Sequence, residues 1–419
     1  MIRIGIVGCG RILAAHLRGY QLMRAAGIDD FRITALCARR TDDAWSYVKR
    51  GEGPAQRQPV GTGPNDPLAI GDLYLSDFQD DVEVQVFTDY REMIKAGPID
   101  AVNDLTVHTL HHQVAAVAFA AGKDLLTQKP LAVTVAAARR MCERAEADDR
   151  VLGVFENARN RADTRQLGWL FRNGWCGDLQ MILMTNVGNW WGPDRIVAET
   201  PWRHRRAEGG GLALDIGVHL FNHIRHVAGE IATVSARASI LEPVRFSRDA
   251  AGKVTDQVDC DADDTMLASF TTGNGVLGSI TASWGGHGAP TLCGTGRGIV
   301  YHGSTGSVHG DVVTTDDGSA RDLTTLYETE CPAEVRASHF PHGLTDAFAL
   351  NQCDWLAAIR ARREPETSGL EGLRDLAAAF AVLESSQAGR IVNVEEVASG
   401  QLRDFQRPLD ERFGLLAET

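Results

Sequence analysis

The first part of the chain alternates short apolar runs with longer segments of helical periodicity. Ile2–Val7 and Phe31–Cys37 are rich in β-branched and apolar residues, which is typical of strands buried on both faces. Similar runs follow at 84–87, 100–105, 124–127 and 151–155. Helical periodicity fills intervals between them, at 12–26, 112–121 and 133–147. Strands and helices that alternate at this spacing predict a parallel α/β sheet, and we assign it to a domain at residues 1–155.

Beyond residue 160 the apolar and polar positions alternate along longer strands. We predict these strands at 179–187, 233–240, 265–270 and 277–284. Asn274-Gly275 stands between the last two and indicates a hairpin turn. Amphipathic helices are predicted at 348–363 and 373–387. The pattern favours a second domain at residues 156–419, of α+β class, with an open and mostly antiparallel sheet covered by helices.

A long insertion at residues 51–83 interrupts the first domain, and its part at 51–71 is rich in glycine and proline. Loops of this length inside a compact domain are functional or disordered. The insertion covers a ligand, contacts another subunit or forms a plain surface loop, and the sequence leaves these alternatives open.

Composition and charge exclude several classes of protein. With 44% apolar and 23% charged residues among 419, the chain is typical of a globular protein of two or three domains. Its net charge of −13 argues against a general nucleic-acid or anionic-membrane binder. Apolar runs are too short to cross a bilayer, and the N-terminus has a strand pattern rather than a signal-peptide pattern. The eight cysteines form no CxxC pair, so we expect a reduced, cytoplasmic protein.

The first predicted strand runs into Gly8-Cys9-Gly10-Arg11-Ile12 and then into a helix. Glycines at this turn let a backbone approach a pyrophosphate, which then sits at the helix N-terminus. We therefore predict a Rossmann dinucleotide-binding domain, with Gly8, Gly10, Arg11 and Ile12 at the cofactor. Leu13 occupies the place of the third glycine of the fingerprint, so an ordinary strand–helix turn remains the alternative.

The second strand ends in Ala38-Arg39-Arg40 rather than in an acidic residue. An acid at that point would bind the ribose hydroxyls of NAD, whereas guanidinium groups suit the 2′-phosphate of NADP. We predict NADP as the preferred cofactor, ahead of NAD. A solvated surface pair of arginines is the alternative.

A glycine run at 209–211 precedes Asp215 and His219. If this segment is helical, the two side chains share one face, and a carboxylate one turn from an imidazole supports proton transfer near neutral pH. A surface pair without a function is one alternative. Metal binding is another, because His223 extends the same stripe, but no further ligand cluster follows and we predict no metal.

Lys129 follows the predicted strand at 124–127 and precedes Pro130. Ligands of open α/β sheets bind at the carboxyl edge of the strands, where a lysine can donate to a ribose or substrate hydroxyl. A surface lysine is the alternative.

Together these residues resemble the glucose–fructose oxidoreductase/inositol dehydrogenase (Gfo/Idh/MocA) family. The resemblance rests on motifs in the family's order along nearly the whole chain: 8–12 with His16, 121–123, 128–132, 209–219 and 364–369. It implies a dinucleotide-binding domain, a second domain whose sheet binds substrate and often forms homo-dimers or homo-tetramers, and NAD(P)-dependent chemistry at a sugar or cyclitol carbon.

The resemblance also implies roles for individual residues. Lys129 matches the lysine that contacts the nicotinamide ribose and the reacting hydroxyl, and Asp215 and His219 match the catalytic acid–histidine pair. Residues expected near the nicotinamide or the substrate are His111, Asn157, Arg159, Trp202 and Arg203. Trp190 and Trp191 offer a stacking face for a sugar, unless they are core aromatics.

Three positions depart from the family pattern: Leu13, Gln128 in place of the motif glutamate, and Ala38 in place of an acid. None of them removes a predicted catalytic residue. We therefore expect hydride transfer between a nicotinamide and a secondary alcohol, in which His219 takes the hydroxyl proton. NAD-assisted glycoside cleavage through a 3-keto intermediate, a non-catalytic nucleotide-sensing regulator and a dihydrodiol or ketone reductase are the alternatives.

Overall fold

The computed structural model describes residues 1–61, 66–293 and 298–416. Residues 62–65 of the predicted 51–71 loop lie outside the described residues. The described chain forms two compact units. The first contains Met1–Val133, Ala137–Asn160 and Phe340–Leu373, and the second contains the remaining described residues. The chain therefore returns to the first unit at residues 340–373. A single domain boundary near residue 155 leaves this return out.

The first unit is built on a parallel sheet of six strands. These strands are β1 (Ile2–Val7), β2 (Phe31–Cys37), β3 (Gln85–Phe87), β4 (Ala101–Asp104), β5 (Asp124–Gln128) and β6 (Leu152–Phe155). Their order is β3-β2-β1-β4-β5-β6, which is the Rossmann order, and Ile4 of β1 pairs with a residue on either side, Ile33 and Ala101. The predicted α/β class and all six strands are confirmed; β1 and β2 have the predicted bounds, and the ends of the other four differ by at most one residue.

The helices follow the predicted alternation in the first unit and add elements that the sequence pattern did not predict. Numbered along the described chain, they are α1 (Leu13–Ala25), α2 (Thr41–Trp45), α3 (Tyr90–Ala96), α4 (His108–Ala120), α5 (Val135–Ala147), α6 (Ala162–Arg172), α7 (Leu212–Asp215), α8 (Gly217–Ala228), α9 (Leu323–Glu330), α10 (Ala333–His339), α11 (Ala347–Ala361), α12 (Gly369–Ala388), α13 (Val394–Ala398) and α14 (Arg407–Arg412).

The returning segment 340–373 completes the first unit. Helix α11 packs against α1, and its Trp355 is fully buried. The following residues run beside β6, where the Val154 amide donates to the Thr367 carbonyl at 2.8 Å. A Cβ on Gly369 would lie 2.5 Å from Leu152, so the segment lies too close to β6 for a side chain there. The motif at 364–369 thus covers the edge strand of the sheet.

The second unit is built on a large mixed sheet. Its strands, with a separate hairpin at β9 and β10, are β7 (Leu179–Val187), β8 (Ile231–Ser239), β9 (Val244–Arg248), β10 (Val254–Asp259), β11 (Thr265–Thr272), β12 (Leu277–Ser283), β13 (Thr291–Leu292), β14 (Ile299–Gly303), β15 (Gly306–His309), β16 (Val312–Thr315), β17 (Ala320–Asp322) and β18 (Val392–Asn393). The β7–β12 pair is parallel and the other described pairs are antiparallel, so the predicted mostly antiparallel sheet is confirmed.

One face of this sheet packs against helices and the other is open. On the covered face the ring centroids of Phe221 and Phe270 lie 6.4 Å apart. On the open face Leu277 pairs with Met181 across neighbouring strands, and Leu267 of β11 lies opposite Thr281, four residues further along β12. The alternation of apolar positions therefore sets which residues face the helices. No helix in the described part of the chain is both long and apolar enough to span a bilayer.

Candidate active site

The turn between β1 and α1 is shaped by two glycines. Gly8 has a φ of +104°, and a Cβ there would lie 2.8 Å from the Leu105 carbonyl group at the end of β4. A Cβ on Gly10 would meet nothing within 4 Å, so the backbone is open on that side. No side chain caps the start of α1. The turn lies where the strand order reverses, and its geometry fits a pyrophosphate.

Leu13 takes the place of the third fingerprint glycine without disturbing this turn. Its side chain is fully buried in the core of the first unit, at the first residue of α1. The third glycine of the fingerprint serves close packing between helix and sheet. Leu13 serves packing as well, through a buried side chain.

The end of β2 differs from the sequence-based picture in one respect. Arg39 and Arg40 follow the strand as predicted, but a carboxylate also lies there, which corrects our expectation of none. Asp43, in α2, accepts from Arg40 Nη2 at 2.6 Å and from Nε at 3.1 Å. The hydrogen bond from Arg40 is the main reason that the pKa of Asp43 is lowered. Asp43 stands only three residues after Arg40, but the contact depends on the helical turn of α2, which the sequence pattern did not predict.

Lys129 follows β5 as predicted, and its backbone is held by uncharged polar groups. Its amide donates to Gln128 Oε1 at 3.0 Å. The Gln128 side-chain nitrogen lies 2.8 Å from His16 Nε2. His16 is fully buried against Phe155, with the ring centroids 4.1 Å apart, and burial lowers its pKa to about 3. The residue that precedes the lysine therefore has a neutral amide, which contacts a neutral imidazole.

The structure gives His111 a different place from the predicted contact with the cofactor. It lies inside α4 and is fully buried. Its Nδ1 lies 3.0 Å from the Pro130 carbonyl oxygen and 3.2 Å from that of Leu131, and its Nε2 lies 3.1 Å from that of Thr106. Both ring nitrogens thus face backbone oxygens. The ring supports the turn after Lys129 rather than offering a nitrogen to a ligand.

Of the two predicted residues after β6, one is bound tightly within the first unit. Arg159 is 7% exposed, and its guanidinium donates to Glu371 Oε2 at 2.8 Å and to the Glu366 carbonyl at 3.1 Å. Asn157 is half-buried. Glu371 was not predicted, because its partnership with Arg159 depends on the chain returning to the first unit after residue 340.

In the second unit the glycine run at 209–211 is required by close backbone packing. A Cβ on Gly210 would lie 2.5 Å from the Arg203 carbonyl oxygen. Gly211 has a φ of +124°, and a Cβ there would lie 2.2 Å from Asp263 Oδ1. Asp263 in turn accepts from the Ala213 amide at the start of α7, and burial raises its pKa to about 6. The run therefore fixes the start of α7 against its neighbours.

Three predicted residues from the two sides of this run meet: Trp202, Arg203 and Asp215. Arg203 Nε donates to Asp215 Oδ2 at 3.0 Å, and the guanidinium lies 4.4 Å from the centre of the Trp202 ring. Asp215 ends α7, whereas His219 lies in the first turn of α8, because Ile216 separates the two helices. The sequence-based argument assumed that Asp215 and His219 lie on a single helix, whereas the structure has two separate helices here. Asp215 is 9% exposed and His219 is half-buried.

His223 has partners that explain it without a metal. It is buried, its Nδ1 lies 2.9 Å from Thr164 Oγ1, and its Nε2 contacts the Tyr301 hydroxyl. Burial lowers its pKa to about 4. Within residues 1–61, 66–293 and 298–416, no group of three His, Cys, Asp or Glu side chains is placed to hold a metal ion.

A buried ion pair that sequence reasoning missed supports the segment before Arg203. Arg245 is fully buried and donates to Asp264 at 3.1 Å, and also to the carbonyls of Trp191 at 3.2 Å and Arg195 at 2.9 Å. In the same segment the Val197 amide lies 3.0 Å from His204 Nε2, and burial lowers the pKa of His204 to about 4. No local motif marks these residues.

The fold and these side chains define a class of protein: a dinucleotide-binding unit joined to an α+β unit that carries a carboxylate, an arginine and a histidine, as in nicotinamide-dependent oxidoreductases. Comparison with known protein families supports this class. Residues 71–156 match the oxidoreductase family with NAD-binding Rossmann fold, and residues 164–309 match the GFO/IDH/MocA C-terminal domain. The two matches span more than half of the chain, which belongs to the GFO/IDH/MocA family of oxidoreductases.

Individual relatives are similar over most of their length. Myo-inositol 2-dehydrogenase of Thermotoga maritima is 24% identical over 94% of this chain and 99% of its own. The 1,5-anhydro-D-fructose reductase of Ensifer adhaerens is 26% identical over 74% of this chain and 84% of its own. Among solved structures, an Agrobacterium radiobacter oxidoreductase in complex with NAD+, L-tartaric acid and magnesium has a TM-score of 0.67 at 18% identity, covering 94% of this chain and 98% of its own.

Proposed function

We propose that this protein transfers a hydride between a nicotinamide cofactor and a secondary alcohol or ketone of a sugar, glycoside or cyclitol. The observation that carries the proposal is the Arg203–Asp215 ion pair, whose carboxylate stands four residues before His219, in a chain whose other unit has the NAD-binding fold. Relatives named for inositol, anhydrofructose and apiose support the substrate class.

The proposed roles follow from the chemistry of each side chain. His219 takes the proton of the substrate hydroxyl in the direction of oxidation, which avoids a free alkoxide. Asp215, held by Arg203, stabilises the charged imidazole that results, and Lys129 donates to the oxygen on which negative charge develops. A nicotinamide, when bound, supplies the hydride acceptor or donor.

Substrate contacts are proposed for Asn157, Arg159, Trp202 and Arg203. Both arginines are already fixed by carboxylates, Arg159 by Glu371 and Arg203 by Asp215. A fixed guanidinium binds hydroxyl oxygens with little loss of side-chain freedom, which favours a polyol.

For the cofactor, we propose a preference for NADP over NAD. Gly8, Gly10, Arg11 and Ile12 would hold the pyrophosphate, and Arg39 and Arg40 the 2′-phosphate. The guanidinium of Arg40 binds the Asp43 carboxylate through two nitrogens, and an oxyanion of the cofactor would need the same donors.

We also propose that the protein is a homo-dimer or homo-tetramer in the cytoplasm. The open face of the large sheet supports the proposed oligomer, because Leu267 and Leu277 are each 54% exposed on it. All eight cysteines are free thiols, which supports a reducing compartment. Light scattering after gel filtration tests the assembly, and a monomer would contradict it.

The experiment is a panel of sugars, glycosides and polyols with NAD and NADP separately. Net formation of reduced nicotinamide is the expected result. Release of a glycoside's aglycone without net change in the cofactor would instead indicate cleavage through a keto intermediate. Tight cofactor binding without any turnover would indicate a regulator.

Alanine variants test the roles proposed for Lys129 and His219. Lys129→Ala and His219→Ala should each lower kcat by about a hundredfold or more, whereas His309→Ala, on an exposed strand residue, should not. Full activity in either of the first two would overturn the assignment of that residue.

A further inference from the structure

The segment 51–61, whose function the sequence left open, lies against the end of β2. Arg57 Nη2 donates to Asp43 Oδ2 at 3.0 Å. The same carboxylate binds Arg40, so one carboxylate is shared by two guanidinium groups. The Asp43 side chain is 15% exposed, whereas Arg57 is 45% and Arg40 is 70% exposed. Both arginines therefore remain accessible to a ligand from solvent.

The same segment also contacts the glycine turn. Arg11, which follows Gly10, has its Nε 3.4 Å from the Gln58 carbonyl oxygen. The Tyr47 hydroxyl, just after α2, donates to the Gly10 carbonyl at 3.3 Å. Segment 51–61 thus joins the pyrophosphate turn to the end of β2, which are the two places where the adenosine half of a dinucleotide binds in this fold.

The charges gathered here differ in sign from those of the whole chain. Three arginines, 11, 40 and 57, take part in these contacts, and Arg39 directly precedes Arg40, in a protein of net charge −13. The Asp43 carboxylate shows that Arg40 and Arg57 form a pair of donors for an oxyanion. A phosphate carries more charge and more acceptor oxygens than a carboxylate and is a stronger ligand for such a pair.

We propose that Arg57 is a specificity-determining residue of the cofactor site, and that it binds the 2′-phosphate of NADP together with Arg40, in exchange for Asp43. This inference rests on the proposed NADP preference. It assigns a function to the glycine- and proline-rich insertion, which delivers one arginine to the adenosine end of the cofactor.

Isothermal calorimetry with 2′,5′-ADP and with 5′-AMP tests this without any substrate. These probes differ only in the 2′-phosphate. The wild-type protein should bind 2′,5′-ADP at least about tenfold more tightly. Arg57→Ala should lower that ratio by about tenfold and leave the affinity for 5′-AMP within twofold. Arg91→Ala removes an exposed arginine of α3 and should leave the ratio unchanged.

Asp43→Asn provides an independent measurement, because it removes the competing charge while keeping the side-chain size. It should tighten 2′,5′-ADP binding several-fold, with little effect on 5′-AMP.

Each other outcome has a distinct meaning. If the wild type prefers 2′,5′-ADP and Arg57→Ala keeps the full preference, the role of Arg57 is refuted while the NADP preference stands. If the wild type does not discriminate, both the preference and the role of Arg57 are refuted. If neither probe binds, the proposed cofactor site is refuted, and the role of Arg57 is refuted with it.

Discussion

The contact between Gln128 and His16 allows a quantitative prediction for Gln128→Glu, which restores the glutamate of the family motif. The substitution places a carboxylate 2.8 Å from His16 Nε2, in a site where the imidazole is fully buried. Opposite charges at that distance attract by roughly 6 kcal/mol at an effective dielectric constant of about 20, equivalent to about four pKa units. Burial of the new carboxylate offsets part of this. We expect the pKa of His16 to rise by about two units or more.

The sign of the effect on stability follows from the pKa of His16. In the wild type the folded pKa is about 3 and the unfolded value is 6.5, so the unfolded chain binds the proton first as the pH falls. Wild-type stability should therefore decrease between pH 6.5 and 3, by roughly 3 kcal/mol at pH 4.5 from this group alone. In Gln128→Glu the folded pKa moves towards 6.5, and a rise of two units should reduce the loss at pH 4.5 by roughly 1 kcal/mol, with a larger rise reducing it further.

Urea unfolding at several pH values and NMR titration of the imidazole measure these two quantities. Gln401→Glu is a matched control, because it adds the same charge at an exposed position. The double variant His16→Gln/Gln128→Glu should lose the pH dependence that belongs to the imidazole. If His16 in Gln128→Glu titrates at the wild-type pH, the contact does not set its charge, and the reasoning is wrong.

Three further predictions concern other parts of the molecule. Asp375→Ala should lower the free energy of unfolding by about 1 to 3 kcal/mol in urea titrations, because it removes one of the two carboxylate partners of Arg225, only 2% exposed, and the acceptor of the buried Asn222 amide, while the Glu230 partner remains. Gly211→Ala should lower the melting temperature and the yield of folded protein, since its φ of +124° and a carboxylate oxygen 2.2 Å from the new Cβ leave no room. Glu371→Gln should raise KM for the polyol more than it lowers kcat, because Arg159 loses its orienting charge, and an unchanged KM would remove that arginine from substrate binding.

The order of elements in the first unit was predictable because most strands are largely apolar and buried and are followed by helical periodicity. β1 and β2 have the predicted bounds, since their burial on both faces leaves a continuous apolar run. The hairpin at Asn274-Gly275 was predictable for a local reason as well, because the turn residues themselves specify it. Short strands of mixed composition such as β16, and the edge strand β17 beside it, gave no such signal.

The candidate site was predictable only where its motifs are contiguous. The glycine turn, Lys129, and the pair Asp215 and His219 were found in this way. Asp43 was missed because its contact with Arg40 depends on the turn of α2. Glu371 was missed because the chain leaves the first unit for some 180 residues before it returns. His111 was placed at the cofactor from its position in the motif, whereas its ring orientation is a property of tertiary packing.

The most direct test of the central claim follows one hydrogen atom. A polyol that the substrate panel identifies is prepared with deuterium on the carbon that carries the reacting hydroxyl, and a single turnover is run with oxidised cofactor. Hydride transfer from that carbon predicts one deuterium on the nicotinamide ring of the reduced cofactor, detected by mass spectrometry, and its appearance at least about a hundredfold more slowly when His219→Ala replaces the wild type. Reduced cofactor without deuterium, or a labelled product that leaves with its deuterium retained, would contradict hydride transfer from that carbon.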